Sequence, residues 1–197
     1  MKHLFACLFV LCVNSAMAQD RPIGQVGGKP VMASQVQAED ESKRVGLVYK
    51  LIIRPAVEAY LESHRNRWAA TEEDKQRFML ALREHEKCLK TGEQRSSPEN
   101  QRAQAEWTVP QLKLQRFIYE RHGGGRLRFQ QIGTEAFDAN RQMLLDLERQ
   151  GAFAINDPAL RSQALDYWLE PRGPLMADPG IDKAFKIEEQ FPPCPSR

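Results

Sequence analysis

The segment from Leu47 to Leu61 constrains the fold more than any other part of this sequence. Drawn as a helix, it places apolar side chains on almost every side, where a surface helix would show a single apolar stripe. Such a helix is stable only when other elements surround it, so the segment predicts a central helix inside a mainly α-helical protein. Pro55 lies within the segment and predicts a kink, because proline has no backbone N–H to donate.

Local signals around this segment predict the other elements. Ile23 to Val31 reads as two short extended pieces joined by a glycine turn, since paired glycines supply the positive φ that tight turns need. Thr71 with Asp74 three residues later resembles a capping box and predicts a helix start. Asp157 before Pro158 predicts another. We therefore expect a mainly α fold with short N-terminal β segments and a second helical half.

The first residues have the pattern of a secretory signal peptide. Lys2 supplies a positive start, an apolar run extends from Leu4 to Val13, and small residues precede a cleavage site after Ala18. The run is shorter than the roughly 20 residues that span a bilayer, and no later apolar run reaches that length, so no stable membrane insertion is expected. Residues 1–18 are thus predicted to be removed during export to the periplasm, which leaves Gln19 as the mature N-terminus.

Residues 91–106 are predicted to divide the mature chain. They are rich in Gln, Glu, Arg, Ser and Asn and show no apolar periodicity, which is typical of an exposed linker. We therefore expect a helical segment over 19–90, a linker over 91–106 and a C-terminal helical half over 107–197.

The charge balance bears on the class of partner. Lys and Arg number 28 against 26 Asp and Glu, for a formal net charge of +2. A protein that holds nucleic acid by neutralising phosphates usually carries a basic excess, so a nucleic-acid partner is not expected.

Two cysteines remain after the predicted cleavage, Cys88 and Cys194. An oxidising compartment favours a disulfide between them, while two free thiols are the alternative. His85 and Cys88 are spaced to reach one ion, but two ligands do not make a metal site, and His85 falls in an apolar stripe. Neither a metal nor a cofactor is predicted, and the absence of a nucleophile-elbow pattern leaves catalytic residues unassigned.

The stretch from Ile23 to Val36, IGQVGGKPVMASQV, resembles the opening of the SurA/PrsA-type extracytoplasmic chaperones. The apolar helix and the helix start at Thr71 follow in the order used by that family, so the resemblance covers roughly residues 23–89. Gly27 stands where the family usually has Asn. The resemblance implies a chaperone-like helical domain that holds unfolded or extended polypeptide without ATP.

If the central helix is open to solvent, it supplies the surface for such clients. The candidate client-binding residues are apolar positions of this helix and of the next one: Leu51, Ile52, Val57, Tyr60, Phe78 and Leu82. The alternative is that the second half folds back and covers them, since large apolar residues are usually core.

Two other functions stay open at this point. That family often adds a parvulin prolyl isomerase domain, and Gly123 to Phe129 with Glu135 to Phe137 faintly echoes one, although only His122 is available as a nearby histidine. The third interpretation is a partner-specific interaction module of the cell envelope. The sequence leaves the oligomeric state undetermined.

Overall fold

Helices account for most of the chain, and short strands lie between them. The structure is a computed structural model that describes residues 20–89, 95–130, 133–170, 175–177 and 180–191. Its elements in chain order are β1 Pro22–Val26, β2 Lys29–Met32, α1 Glu41–Val48, α2 Arg54–Ser63, α3 Arg65–Trp68, α4 Glu72–Glu86, α5 Pro98–Arg121, β3 Arg128–Gln130, β4 Gly133–Glu135, α6 Phe137–Arg149, β5 Phe153–Ile155, α7 Pro158–Leu169 and α8 Ile181–Phe185. The predicted mainly α class is confirmed. The predicted signal peptide lies outside the described residues.

The apolar central segment continues from α1 into α2 through a π-helical stretch, Tyr49–Ile53. Pro55 follows at the first turn of α2. Within a regular α-helix, a proline removes one hydrogen bond and its ring collides with the carbonyl four residues earlier. In the wider turn, the backbone N–H of Arg54 bonds to the carbonyl of Tyr49, five residues back. The helix therefore changes from α to π geometry immediately before the turn that contains the proline.

The predicted helix starts are confirmed by their capping contacts. Thr71 Oγ1 accepts a hydrogen bond from the backbone N–H of Asp74 at 3.1 Å, and Asp74 Oδ2 accepts one from the backbone N–H of Thr71 at 3.0 Å. Asp157 accepts from the backbone N–H groups of Ala159 and Leu160 at the start of α7. These side chains satisfy N–H groups that have no partner within the helix.

The N-terminal β segments belong to a three-stranded antiparallel sheet in the order β2-β1-β5. In this sheet Gly24 pairs with Ile155, and Val26 pairs with Phe153. Gly24 is required by a close approach, because a Cβ at this position would lie 2.3 Å from the carbonyl oxygen of Ala154. A strand from the second half of the chain thus completes the sheet that the first half begins.

One hydrophobic core contains residues from both halves. Val48, Ile52 and Ile53 of the central segment are fully buried, and so are Val109 and Phe137 from the second half. All but Phe137 belong to a single buried cluster that also includes Phe153 of β5. The two halves predicted from the sequence are therefore packed against each other.

The prediction of a linker over 91–106 is wrong for residues 98–106. Ser97 caps the helix through the backbone N–H of Asn100, and α5 runs from Pro98 onwards without a break. Gln101 is buried and bonds to the Glu86 side chain at 2.9 Å, while Ala105 is fully buried. Because α4 holds this part of α5 partly through polar contacts, apolar periodicity could not reveal the helix.

Of the two cysteines in the predicted disulfide, Cys88 is described by the structure, whereas Cys194 lies outside the described residues. The described chain ends at Phe191, whose ring contacts Phe78 edge-on at 5.2 Å and His85 at 5.8 Å. The tail thus reaches the face of α4, the helix that precedes Cys88. Pairing of the two cysteines stays a prediction.

Candidate functional site

The six residues predicted to bind clients do not form an open surface. Ile52 is fully buried, Phe78 is 4% exposed and Leu82 is 7% exposed. The other three residues, Leu51, Val57 and Tyr60, are half-buried and pack against the core.

The second half of the chain provides the cover. Strand β5 lies against the π-helical segment, α6 contacts α2, and α5 packs along α4. Of the two alternatives left open by the sequence, coverage therefore applies to Ile52 of the central segment and to Phe78 and Leu82 of α4, and their candidate role as exposed client contacts is corrected.

A polar relay lies beside the buried helix and joins three elements. The Tyr60 hydroxyl is 2.8 Å from Nε2 of His122, and Nδ1 of His122 is 3.2 Å from the Asp146 carboxylate. An ionised carboxylate can only accept, so it favours the tautomer with hydrogen on Nδ1, and Nε2 then accepts from the tyrosine hydroxyl.

The histidine of this relay is buried, so a bound substrate would not reach it. The His122 side chain is only 8% exposed. Burial lowers the pKa of His122, although the hydrogen bond that its Nδ1–H donates to Asp146 acts in the opposite direction. Both imidazole nitrogens are engaged within the chain, so neither is left to act on a bound molecule. We assign the relay a structural role that ties α2, α5 and α6 together.

A cavity of about 290 Å³ between α4 and α5 is lined by charged residues. Asp74 on α4 forms ion pairs with Arg77 and with Lys113 of α5, and Arg116 pairs with Glu120. These three cations have carboxylate partners, so this part of the cavity wall is an ion-pair network.

The hairpin of β3 and β4 presents a different arrangement. The Arg128 guanidinium contacts two aromatic rings, 4.3 Å from the centroid of Phe137 and 4.4 Å from that of Tyr167, and these two rings pack edge to face with their centroids 6.1 Å apart. Trp168 stacks on Phe137 at 5.9 Å and extends the aromatic cluster. Cation–π contacts of this kind attract the guanidinium to the electron-rich faces of the rings.

The Tyr167 ring of this cluster is held by a carboxylate. The Tyr167 hydroxyl donates a hydrogen bond to Glu135 at 2.7 Å. Burial, together with this hydrogen bond, raises the pKa of Tyr167, so the ring stays neutral at physiological pH. The hydroxyl therefore remains a donor and keeps the ring over Arg128.

Large apolar side chains are exposed around the same hairpin. Phe129 is 72% exposed, Tyr167 is 42% exposed and Met176 is 40% exposed. Met176 pairs with Leu127 in an antiparallel bridge, so it lies next to the strand that carries Phe129. We call the residues around this hairpin, Arg128, Phe129, Tyr167 and Met176, the hairpin surface, and it has two sides because Arg128 and Phe129 alternate along β3.

Sequence reasoning missed the hairpin surface. The segment from Arg126 to Gln130 reads as a short strand, and alternation along a strand does place Arg128 and Phe129 on opposite faces. The rings that contact Arg128 come from α6 and α7, however, and no local pattern brings them to the strand.

The metal interpretation gains no support from the structure. Within the described ranges, no group of three or more His, Cys, Asp or Glu residues is placed to hold a metal ion. Glu86 instead accepts hydrogen bonds from Gln101 and from the backbone of Ser96. In the same described part of the chain, no helix combines the length and apolar character needed to cross a membrane.

Comparison with protein-family models, curated proteins and solved structures finds no match for this chain.

Proposed function

We propose that this chain is an exported interaction module that binds a polypeptide partner through the hairpin surface. The observation that carries the proposal is the exposure of Phe129, Tyr167 and Met176 around one hairpin, while the apolar central helix is covered. Aromatic residues, Met and Arg are the types enriched in protein interfaces. The hairpin surface combines all three.

A partner of defined structure suits this surface better than a broad range of unfolded clients. Contiguous apolar patches on a soluble protein mark binding sites, and the size of the patch limits what it holds. Here the predicted client residues Ile52, Phe78 and Leu82 are in the core. A general chaperone would have to use the hairpin surface in their place.

Site-specific crosslinking at the hairpin tests the proposal. A photoreactive phenylalanine analogue would replace Phe129 in the exported protein, and the control would replace Leu80, which is 57% exposed on α4. We expect one discrete adduct from position 129 and none from position 80. A ladder of adducts at 129 would favour the general chaperone, and equal yields at the two positions would refute the proposed surface.

Two activity assays separate the alternatives. Purified mature protein should leave the aggregation of an unfolded client unchanged without nucleotide, whereas suppression that depends on Phe129 would favour the chaperone. Proline isomerisation in a tetrapeptide should not be accelerated, because His122, the histidine nearest the parvulin-like segment, is committed to Tyr60 and Asp146. Acceleration that His122→Asn abolishes would favour the isomerase.

Export is a separate part of the proposal and rests on residues 1–18, which lie outside the described residues. Mass spectrometry of protein from the periplasmic fraction should give Gln19 as the first residue. An intact chain beginning at Met1 in that fraction would contradict this part alone.

A further inference from the structure

The charged cavity between α4 and α5 has an apolar floor as well as an ionic wall. It extends to α3 on one side, and on another side it is bounded by the end of α8 and the 3₁₀ turn Ile187–Gln190. The apolar residues that line it are Phe117, Phe185 and Ile187, which are 6%, 3% and 5% exposed. Because these side chains belong to the hydrophobic core, the floor is fixed by the packing of the whole protein.

The wall of this cavity carries more positive than negative charge. Five cations and three carboxylates line it, which gives a net charge of +2. Each of the three carboxylates has a cation of its own within the wall. The pairs are Lys113 with Asp74 at 2.5 Å, Arg116 with Glu120 at 3.0 Å and Arg77 with Glu188 at 3.7 Å. Two of the five cations are therefore left over.

The two remaining cations are Arg67 on α3 and Lys186 after α8. Among the described residues, no carboxylate lies within ion-pair distance of the Arg67 guanidinium. Nζ of Lys186 is 3.9 Å from Glu189, which is too far for a hydrogen bond, and an exposed pair at such a distance contributes little. Both residues are exposed, so the cavity opens to solvent on the side where its charge is unbalanced.

The size of the cavity limits the ligand to a small molecule. Its volume of about 290 Å³ is at the lower end of the range for small-molecule sites, about 300 to 1,000 Å³. A compact cavity of that volume is about 8 Å across, so long side chains on facing walls can reach one bound group.

We propose that this cavity binds a small organic phosphate. A phosphate monoester carries a charge of about −1.5 to −2 at pH 7, which balances the net charge of the wall. Arginine holds phosphate oxygens through paired N–H groups, and lysine holds them through its compact positive charge. Arg67 and Lys186 bind the phosphate, and the organic part lies on the apolar floor. No residue of the hairpin surface lines the cavity, so this site is separate from the proposed polypeptide site.

An NMR titration of the ¹⁵N-labelled mature protein tests the proposal. The probes are phenyl phosphate, inorganic phosphate, phenylacetate and benzyl alcohol, and the pH is about 7.5, above the second pKa of the phosphate. The readout is the shift of the backbone amide signals of Lys186 and Ile187, fitted to a dissociation constant. We expect saturable binding that is tightest for phenyl phosphate, weaker for inorganic phosphate and phenylacetate, and absent for benzyl alcohol. Added salt should weaken binding, because it screens exposed charges.

Matched substitutions test whether the two unbalanced cations form the site. Arg67→Gln and Lys186→Gln each remove one of them and should weaken binding of phenyl phosphate about 3- to 10-fold. The controls are Arg65→Gln, whose side chain pairs with Glu62, and Lys183→Gln, which is exposed on α8. Neither control residue lines the cavity, although each substitution changes the net charge by the same amount. Thermal melting of each variant checks that it is folded.

Several results would overturn the proposal. Amide signals that do not move at high concentrations of phenyl phosphate would remove the site, and so would equal effects of the cavity and control substitutions. Phenylacetate that binds as tightly as phenyl phosphate would exclude selection of a phosphate. Inorganic phosphate that binds as tightly would exclude a contribution of the apolar floor, and with it an organic ligand.

Discussion

Replacement of Asp74 by alanine should destabilise the protein strongly, because three residues converge on this carboxylate. Thr71 donates to it from both its hydroxyl and its backbone N–H, at 2.9 and 3.0 Å. Arg77 donates at 2.6 Å, and Lys113 of α5 donates at 2.5 Å. The Asp74 side chain is only 10% exposed. The substitution thus removes part of a helix cap and the ion pair between α4 and α5.

The expected magnitude follows from the two contributions. Loss of half of a capping box costs about 1 kcal/mol. Breaking a buried ion pair costs about 3 to 5 kcal/mol. Here Lys113 is 29% exposed and Arg77 is 50% exposed. Solvent screening therefore reduces that contribution to about 1 to 2 kcal/mol. We expect a total loss of about 2 to 3 kcal/mol in the free energy of unfolding.

The pKa of Asp74 gives the loss a pH dependence. Burial acts to raise this pKa, but the hydrogen bonds from Lys113, Thr71 and Arg77 outweigh it and hold the pKa well below its ordinary value of 3.8. A depressed pKa in the folded state gives stability that is complete above the unfolded value and is lost as the pH falls below it. The difference between wild type and Asp74→Ala should therefore shrink below about pH 4.

Urea unfolding followed by circular dichroism at about pH 7 and about pH 3 measures both effects. Glu73→Ala is the matched control, because Glu73 is an exposed acid in the same first turn of α4. It should lose only the helix-dipole contribution, about 0.3 to 1 kcal/mol. Equal losses for the two variants at neutral pH, or an Asp74 effect that is unchanged at acid pH, would refute the reasoning.

Three further predictions concern the rest of the fold. Gly24→Ala should lower the free energy of unfolding in urea by at least about 1 to 3 kcal/mol, because the new Cβ would meet the β5 backbone. The control Gly46→Ala lies in open space on α1 and should raise that free energy by about 0.5 to 1 kcal/mol. Since burial lowers the pKa of His122, the free energy of unfolding should fall as the pH drops below about 6.5, by at most about 1.4 kcal/mol per pH unit. Unfolding of His122→Asn, measured at several pH values, should lack that slope. If Cys88 pairs with Cys194, thiol labelling of the native exported protein should find neither cysteine reactive, and two labels per chain would exclude the bond.

The features that the sequence alone determined depend on neighbours within a few residues. The capping contacts of Thr71 and Asp157 join positions two or three apart, so a short window of sequence contains both partners. The apolar character of the central segment likewise predicted that it would be enclosed or would bind something. These local preferences, repeated along the chain, were sufficient to predict the mainly α class.

Only the tertiary structure decided what encloses the central helix and which surface is left. Val26 of β1 pairs with Phe153 of β5, which lies far along the chain. No sequence pattern in either strand predicts this pairing. The helix that begins at Pro98 is held to α4 partly by buried polar contacts of Gln101, which leave no apolar periodicity to detect. The hairpin surface likewise depends on tertiary packing, because the two rings that contact Arg128 come from separate helices. A single sequence records which residues prefer burial, but the choice among possible burial partners is made by the packing of the whole chain.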